Sequence, residues 1–158
     1  PLNQTLEAHM EINDALKLIQ RLENLPEIYD QMERAVCAVM KNYYSEILEV
    51  ELSEATIMAN ENYRHDELTP FIERKKAIHA KYWSNNSAFY QPCSSSSEPE
   101  HIWNNLIDIE VLQNGDDNNL LFMFKANYKD PAINLTTARA YLLKVNKSSL
   151  KIEHLFFG

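Results

Sequence analysis

The chain has 158 residues, 45% hydrophobic and 24% charged, with a net charge of −8. That length holds one domain with a substantial core, and no run reaches the roughly 18 apolar residues of a membrane helix. With two glycines, a glycine-rich phosphate loop is excluded, and the acidic balance lacks the basic footprint a nucleic-acid binder needs.

The charge is unevenly spread. Residues 1–60 hold 11 acids and 4 bases, residues 61–82 hold 4 and 5, and residues 83–158 hold 8 and 6. The acidity therefore concentrates at the N-terminal end, where it permits a basic partner or serves as a solvated face. Cys37 and Cys93 have no metal spacing; both read as reduced thiols of a cytoplasmic protein. No leader peptide is visible from Pro1 onward, a reading that leaves a removed one open.

Leu2 to Asn24 reads as an amphipathic helix, with Leu6, Met10, Leu16, Ile19 and Leu22 at helical steps. Leu25-Pro26 interrupts it, and residues 1–25 form an N-terminal extension to a domain spanning 26–158. Pro26 opens a second helix, from about Glu27 to about Glu54. Its broad stripe includes Ile28, Met32, Val36, Val39, Met40, Tyr43, Ile47 and Val50. Glu46, Glu49, Glu51 and Glu54 crowd its C-terminal half, the unfavourable end of the helix dipole for acids. An acid cluster that local helix energetics do not favour is expected to face a partner. Ala55 to Glu67 reads as a continuation or a short separate helix. Thr69-Pro70 starts a new one, with Thr69 as N-cap and Pro70 at the first position, and Asn85-Asn86-Ser87 ends it.

Ala88 to Tyr90 reads as a short strand, and Gln91 to Pro99 as a loop with a serine-rich tip. His101 to Leu112 alternates as a strand. Asn114-Gly115 makes the hairpin turn, and Leu120 to Tyr128 returns. The last hairpin places Tyr141, Leu143 and Val145 against Ala140, Leu142 and Lys144. After a polar turn, Leu150, Ile152, His154 and Phe156 share one face, with Lys151, Glu153, Leu155 and Phe157 on the other. Helices first and an antiparallel meander after predict an α+β domain, its N-terminal helices packed on one face of a curved antiparallel β-sheet.

The run Lys75-Lys76-x-Ile78-x-x-Lys81-Tyr82, followed by a meander ending in Arg139-Ala140-Tyr141-Leu142-Leu143, a polar turn and Leu150-x-Ile152, resembles the nuclear-transport-factor-two-like immunity proteins of bacterial toxin systems. The resemblance covers roughly residues 30–158. It implies a cone-shaped α+β domain that binds a cognate toxin and inactivates it by stoichiometric occlusion, without turnover, cofactor or metal. An acidic domain suits a toxin with a basic active-site surface.

The motifs of hydrolases, zinc proteases and dithiol redox centres are absent. His79 and His154 read as packed histidines, His65 and His101 as surface ones. The expected partner-binding set is Glu46, Glu49, Glu51 and Glu54, with a second region at Phe89, Tyr90, Glu98 and Glu100. An alternative is a small-ligand-binding or isomerase/dehydratase-type enzyme using the cone cavity. Asp108, Tyr141 and His154 would then supply its acid–base chemistry. A third reading is a homodimer that buries the outer face of the sheet.

Overall fold

The computed structural model describes residues 26–84, 98–114, 121–131, 133–146 and 149–157. The expected helix over residues 2–24, the strand at 88–90, Cys93 and the centre of the Asn114-Gly115 turn lie outside the described residues.

Helix α1 spans Pro26–Met58. Met32, Val36, Val39, Met40, Tyr43, Ile47 and Val50 recur at helical steps and are all at most 2% exposed, so one stripe of the helix forms half of the core. The helix runs one turn past its expected end, then unwinds through the Ala59 and Asn60 N–H bonds to Ala55 and Ile57. A short 3₁₀ turn, His65–Leu68, follows. Helix α2 is Thr69–Tyr82. Its N-cap is Leu68, with no side-chain cap bond. Thr69 is therefore already inside the helix, and the buried Leu68 fixes the start by packing instead of capping.

A second 3₁₀ turn, Trp103–Asn105, precedes strand β1, Leu106–Asn114. The predicted strand from His101 thus begins five residues late, at Leu106. Strands β2 (Leu121–Asp130), β3 (Leu135–Asn146) and β4 (Ser149–Phe157) complete the sheet. Its order is β1-β2-β3-β4, antiparallel throughout. The α+β class with helices on one face is observed. Phe122, Phe124, Tyr141, Leu143 and Ile152 from the sheet meet Val36, Met40, Tyr43, Tyr44 and Ile47 of α1 in one core.

Two bulges set which residues face that core. In β1 the register shifts between Ile107 and Glu110, so one extra residue is inserted there. Asp108 takes φ 56 at this point, a region that Asp tolerates better than most residues. The bulge lets Leu106 face inward and Glu110 and Leu112 face outward. In β4, Leu143 pairs with Ile152 but Leu142 pairs with His154, leaving Glu153 as the extra residue. The single face predicted for Leu150, Ile152, His154 and Phe156 is corrected accordingly. Leu150 and Ile152 are buried, Leu155 packs on the core, and Phe156 is 45% exposed.

Trp83 joins the end of α2 to the sheet. It forms a parallel bridge with Ile152, and the Ser84 N–H donates to the Ile152 carbonyl at 2.9 Å. His79 stacks on the Trp83 ring at 4.8 Å, the packed role expected for it. Burial pushes its imidazole pKa down.

Candidate functional site

The helix acids were the first candidates, and their placement follows from helical spacing. Glu51 lies four residues after Ile47, and Glu54 four after Val50, so both extend the buried stripe of α1. Glu54 is fully buried, and its Oε1 lies 2.9 Å from Lys75 Nζ of α2. Glu51 accepts the backbone N–H groups of Glu100 and His101, each at 3.0 Å. His101 Nδ1 lies 3.2 Å from the same carboxylate. Burial alone would lift the Glu51 carboxyl, but the His101 ring and the two N–H donors hold it below its ordinary value. The expectation that Glu51 and Glu54 face a partner is therefore corrected: both hold the interior together. His101, expected at the surface, is buried between the rings of Tyr43 and Tyr44.

Glu46 is half-buried. It accepts from Lys81 Nζ at 3.0 Å and from the Tyr82 hydroxyl. Burial first, then the hydrogen bond to the Glu46 carboxylate and last its charge, raise the Tyr82 phenol far above its ordinary pKa. Glu49 is exposed, as are Glu98 and Glu100. The backbone of Glu100 is tied at both ends, its N–H to Glu51 and its carbonyl to Arg139. Phe89 and Tyr90 lie outside the described residues.

The alternative catalytic set is not brought together. Tyr141 is 1% exposed on the inner face of the sheet, its hydroxyl 2.9 Å from that of Tyr44. Arg139 Nη1 donates to the Tyr44 hydroxyl and to the Glu100 carbonyl, both at 3.1 Å. Its guanidinium lies 3.9 Å from the Tyr128 ring centroid. Burial drives the Tyr141 phenol well above its ordinary pKa, so it is a neutral, hydrogen-bonded member of the core. Asp108 is exposed on β1 and accepts from Asn127 Nδ2 at 3.1 Å. His154 lies on β4 at the opposite edge, its ring 4.2 Å from that of Phe156. Two strands and the thickness of the sheet separate the three groups. Among the described residues no cluster of His, Cys, Asp or Glu is arranged to hold a metal ion.

The outer face of the sheet is the remaining surface of note. No described helix lies over it. Cross-strand register sets two rows there, Leu112–Met123–Leu142–His154 and Glu110–Lys125–Ala140–Phe156. On this face Ile107, Leu112 and Phe156 are each at least 40% exposed. A groove of about 410 Å³ opens between β1 and β4, with Ala138 and Ala140 among the residues lining it, Asp108 and Glu110 on the β1 side and Phe156 and Phe157 on the β4 side. Short side chains flanked by long ones leave the depression. The sequence carried a sign of it in Ala138-x-Ala140, two small residues two apart in a strand. Their outward direction, however, depends on the register.

Comparison with protein-family models, curated proteins and solved structures returned no match for the chain. Among the described residues no helix is long and apolar enough to cross a membrane.

Proposed function

We propose that this protein is a stoichiometric binding protein that neutralises a partner protein toxin, with the outer face of the sheet as its contact surface. One observation carries the reading: a sheet face that no described helix covers exposes Ile107 and Leu112 at its β1 edge and Phe156 at its β4 edge, with Met123, Leu142 and Ala140 between them in the cross-strand rows. Contiguous exposed apolar surface rimmed by charge marks interaction sites in soluble proteins. The order of two helices and a four-stranded meander is consistent with the cone-shaped, nuclear-transport-factor-two-like arrangement that the sequence resembles. On this reading the protein works in the cytoplasm, needs no cofactor and carries out no turnover. The net charge of −8 favours encounter with a basic toxin surface.

The test is co-expression with the product of the neighbouring gene. Growth should be rescued by the intact chain, the two proteins should co-purify, and Leu112→Asp with Phe156→Asp should abolish both. Equal survival with and without this chain refutes the proposal. Light scattering of the isolated chain separates a foreign partner from self-association. A dimer dissolved by Phe156→Asp would assign the face to a second copy and overturn the toxin contact.

A further inference from the structure

We infer that the guanidinium of Arg139 and the hydroxyl of Tyr128 form a binding site for a carboxylate group, at the rim where the inner face of the sheet meets helix α1. The site lies on the opposite side of the sheet from the contact face proposed above.

A guanidinium carries five N–H donors and a charge it cannot lose. Arg139 uses two of those donors through Nη1, on the Tyr44 hydroxyl and the Glu100 carbonyl. Its Nε is buried and has no partner, and among the described residues Nη2 has no acceptor either. No described carboxylate lies within ion-pair distance of it; the cations so paired are Arg64, Lys75, Lys76, Lys81 and His101. Tyr128 repeats the pattern. It is buried, its hydroxyl accepts from the Asn105 side-chain amide at 3.5 Å, and among the described residues it donates to nothing. The Arg139 guanidinium lies over the same ring, 3.9 Å from its centroid. Strand pairing gives this placement: Arg139 stands opposite Ala126, the smallest inward residue of β2, and so reaches across to Tyr128.

The rim therefore holds more donors than acceptors, beside a positive charge without a counter-ion. Buried donors are costly when left without an acceptor. A carboxylate supplies what is missing: it only accepts, it brings the negative charge, and it meets the open Nε–Nη2 edge with two parallel N–H···O bonds. The Nη1 side is closed by Tyr44 and Glu100, and one face of the plane by Tyr128. A cation would find no acceptor there, and a neutral amide would leave the charge unpaired. The acid beside the site is Glu100. Its carbonyl is bound to Arg139, while its carboxylate is exposed and forms no ion pair among the described residues. That charge repels an incoming carboxylate, so removing it tightens an anion and weakens a cation.

The experiment is an NMR titration of the full labelled chain with sodium acetate, against sodium chloride at equal ionic strength, at about pH 7, where acetate is ionised. Acetate should move the Arg139 Nε–H signal and the amide signals of Tyr128 and Ala140 along one saturable curve, with an affinity in the millimolar range. Arg139→Lys, which keeps the charge and loses the fork, should weaken acetate about tenfold by the amide signals. Tyr128→Phe, which keeps the ring, should weaken it about three- to tenfold. Glu100→Gln should tighten it about two- to fivefold. Circular dichroism confirms that each variant is folded. Equal shifts with chloride overturn the site, as do full acetate affinity in Tyr128→Phe and weaker acetate binding in Glu100→Gln. Adding the neighbouring gene's product then identifies the source of the carboxylate. Displacement of acetate assigns it to an acidic side chain of that protein, and simultaneous binding assigns it to a free organic acid.

Discussion

Lys75→Met should destabilise the protein far more than the simultaneous loss of both Lys75 and Glu54. The two side chains are 6% and 1% exposed and 2.9 Å apart. At that distance the attraction between unit charges is about 6 kcal/mol in a medium of effective dielectric 20. Most of this offsets the cost of taking both ions out of water, so the pair adds little net stability relative to a packed apolar pair. Losing the ammonium alone leaves the Glu54 carboxylate inside without its counter-ion, which costs about 3–5 kcal/mol. For a domain of this size that lowers the melting midpoint by about 10–15 °C. The Glu54→Leu, Lys75→Met double variant should instead lie within about 1 kcal/mol of the parent, or above it. Urea unfolding followed by far-ultraviolet circular dichroism, closed as a double-mutant cycle, measures all three steps. If Lys75→Met costs under about 1 kcal/mol, or the double variant costs the sum of the singles, Glu54 is not the buried structural charge described here. Its return to the surface acid cluster would then be warranted.

Glu51 makes stability pH-dependent. Its folded-state pKa lies below the ordinary 4.5, so its contribution is fully present above that value and is lost as pH falls through the depressed one. Denaturation midpoints measured down the acid range should fall for the parent and less steeply for Glu51→Gln; parallel curves would exclude the clamp on residues 100–101. Tyr141→Phe removes one hydroxyl from the Tyr44–Tyr141 pair and should cost about 1 kcal/mol, whereas Arg139→Met, which removes a charged donor from both the Tyr44 hydroxyl and the Glu100 carbonyl, should cost about 2–3 kcal/mol. Equal costs, read by chemical denaturation, would mean that Arg139 does not hold that junction. At φ 56, Asp108→Gly should be within about 0.5 kcal/mol of neutral, while Asp108→Val should lose about 1–2 kcal/mol. A neutral valine variant would dismiss the bulge geometry.

The class of fold was legible because period and order are local signals. The stripe from Met32 to Val50 and the alternation from Leu121 onward need no knowledge of what they pack against. Two things were hidden. Glu51 and Glu54 look like surface acids in a count of charges, and only their spacing from Ile47 and Val50 puts them inside. Their partners, His101 and Lys75, lie in other elements, and a count of neighbours in sequence carries no trace of them. The bulges were hidden for a different reason. Nothing in Leu106–Asn114 marks which residue is the inserted one, because that is fixed by pairing with β2 and by the demand that Leu106 and Val111 both reach the core. A single inserted residue reverses every later side chain in a strand. That is how Phe156 parted from the face expected to hold Leu150 and Ile152 and came to the outer face, and how Glu110 came to stand beside the groove.

The same relocation decides how the protein's acidity can act. Of the four acids on the C-terminal half of α1, Glu51 and Glu54 are committed to the interior and Glu46 to Lys81 and Tyr82. What these charges retain is their long-range field, and a field governs encounter more than residence. Contact, on the proposal above, belongs to the apolar outer face, where buried area governs dissociation. The two roles separate experimentally. Raising the salt concentration should slow association with the toxin severalfold, and Glu49→Lys, at the exposed member of the cluster, should do the same while leaving dissociation nearly unchanged. Phe156→Ala should speed dissociation with little effect on association. Surface plasmon resonance resolves the two rates; a Glu49→Lys variant that dissociates many times faster would return the contact to the helix and leave the sheet face without its assigned role.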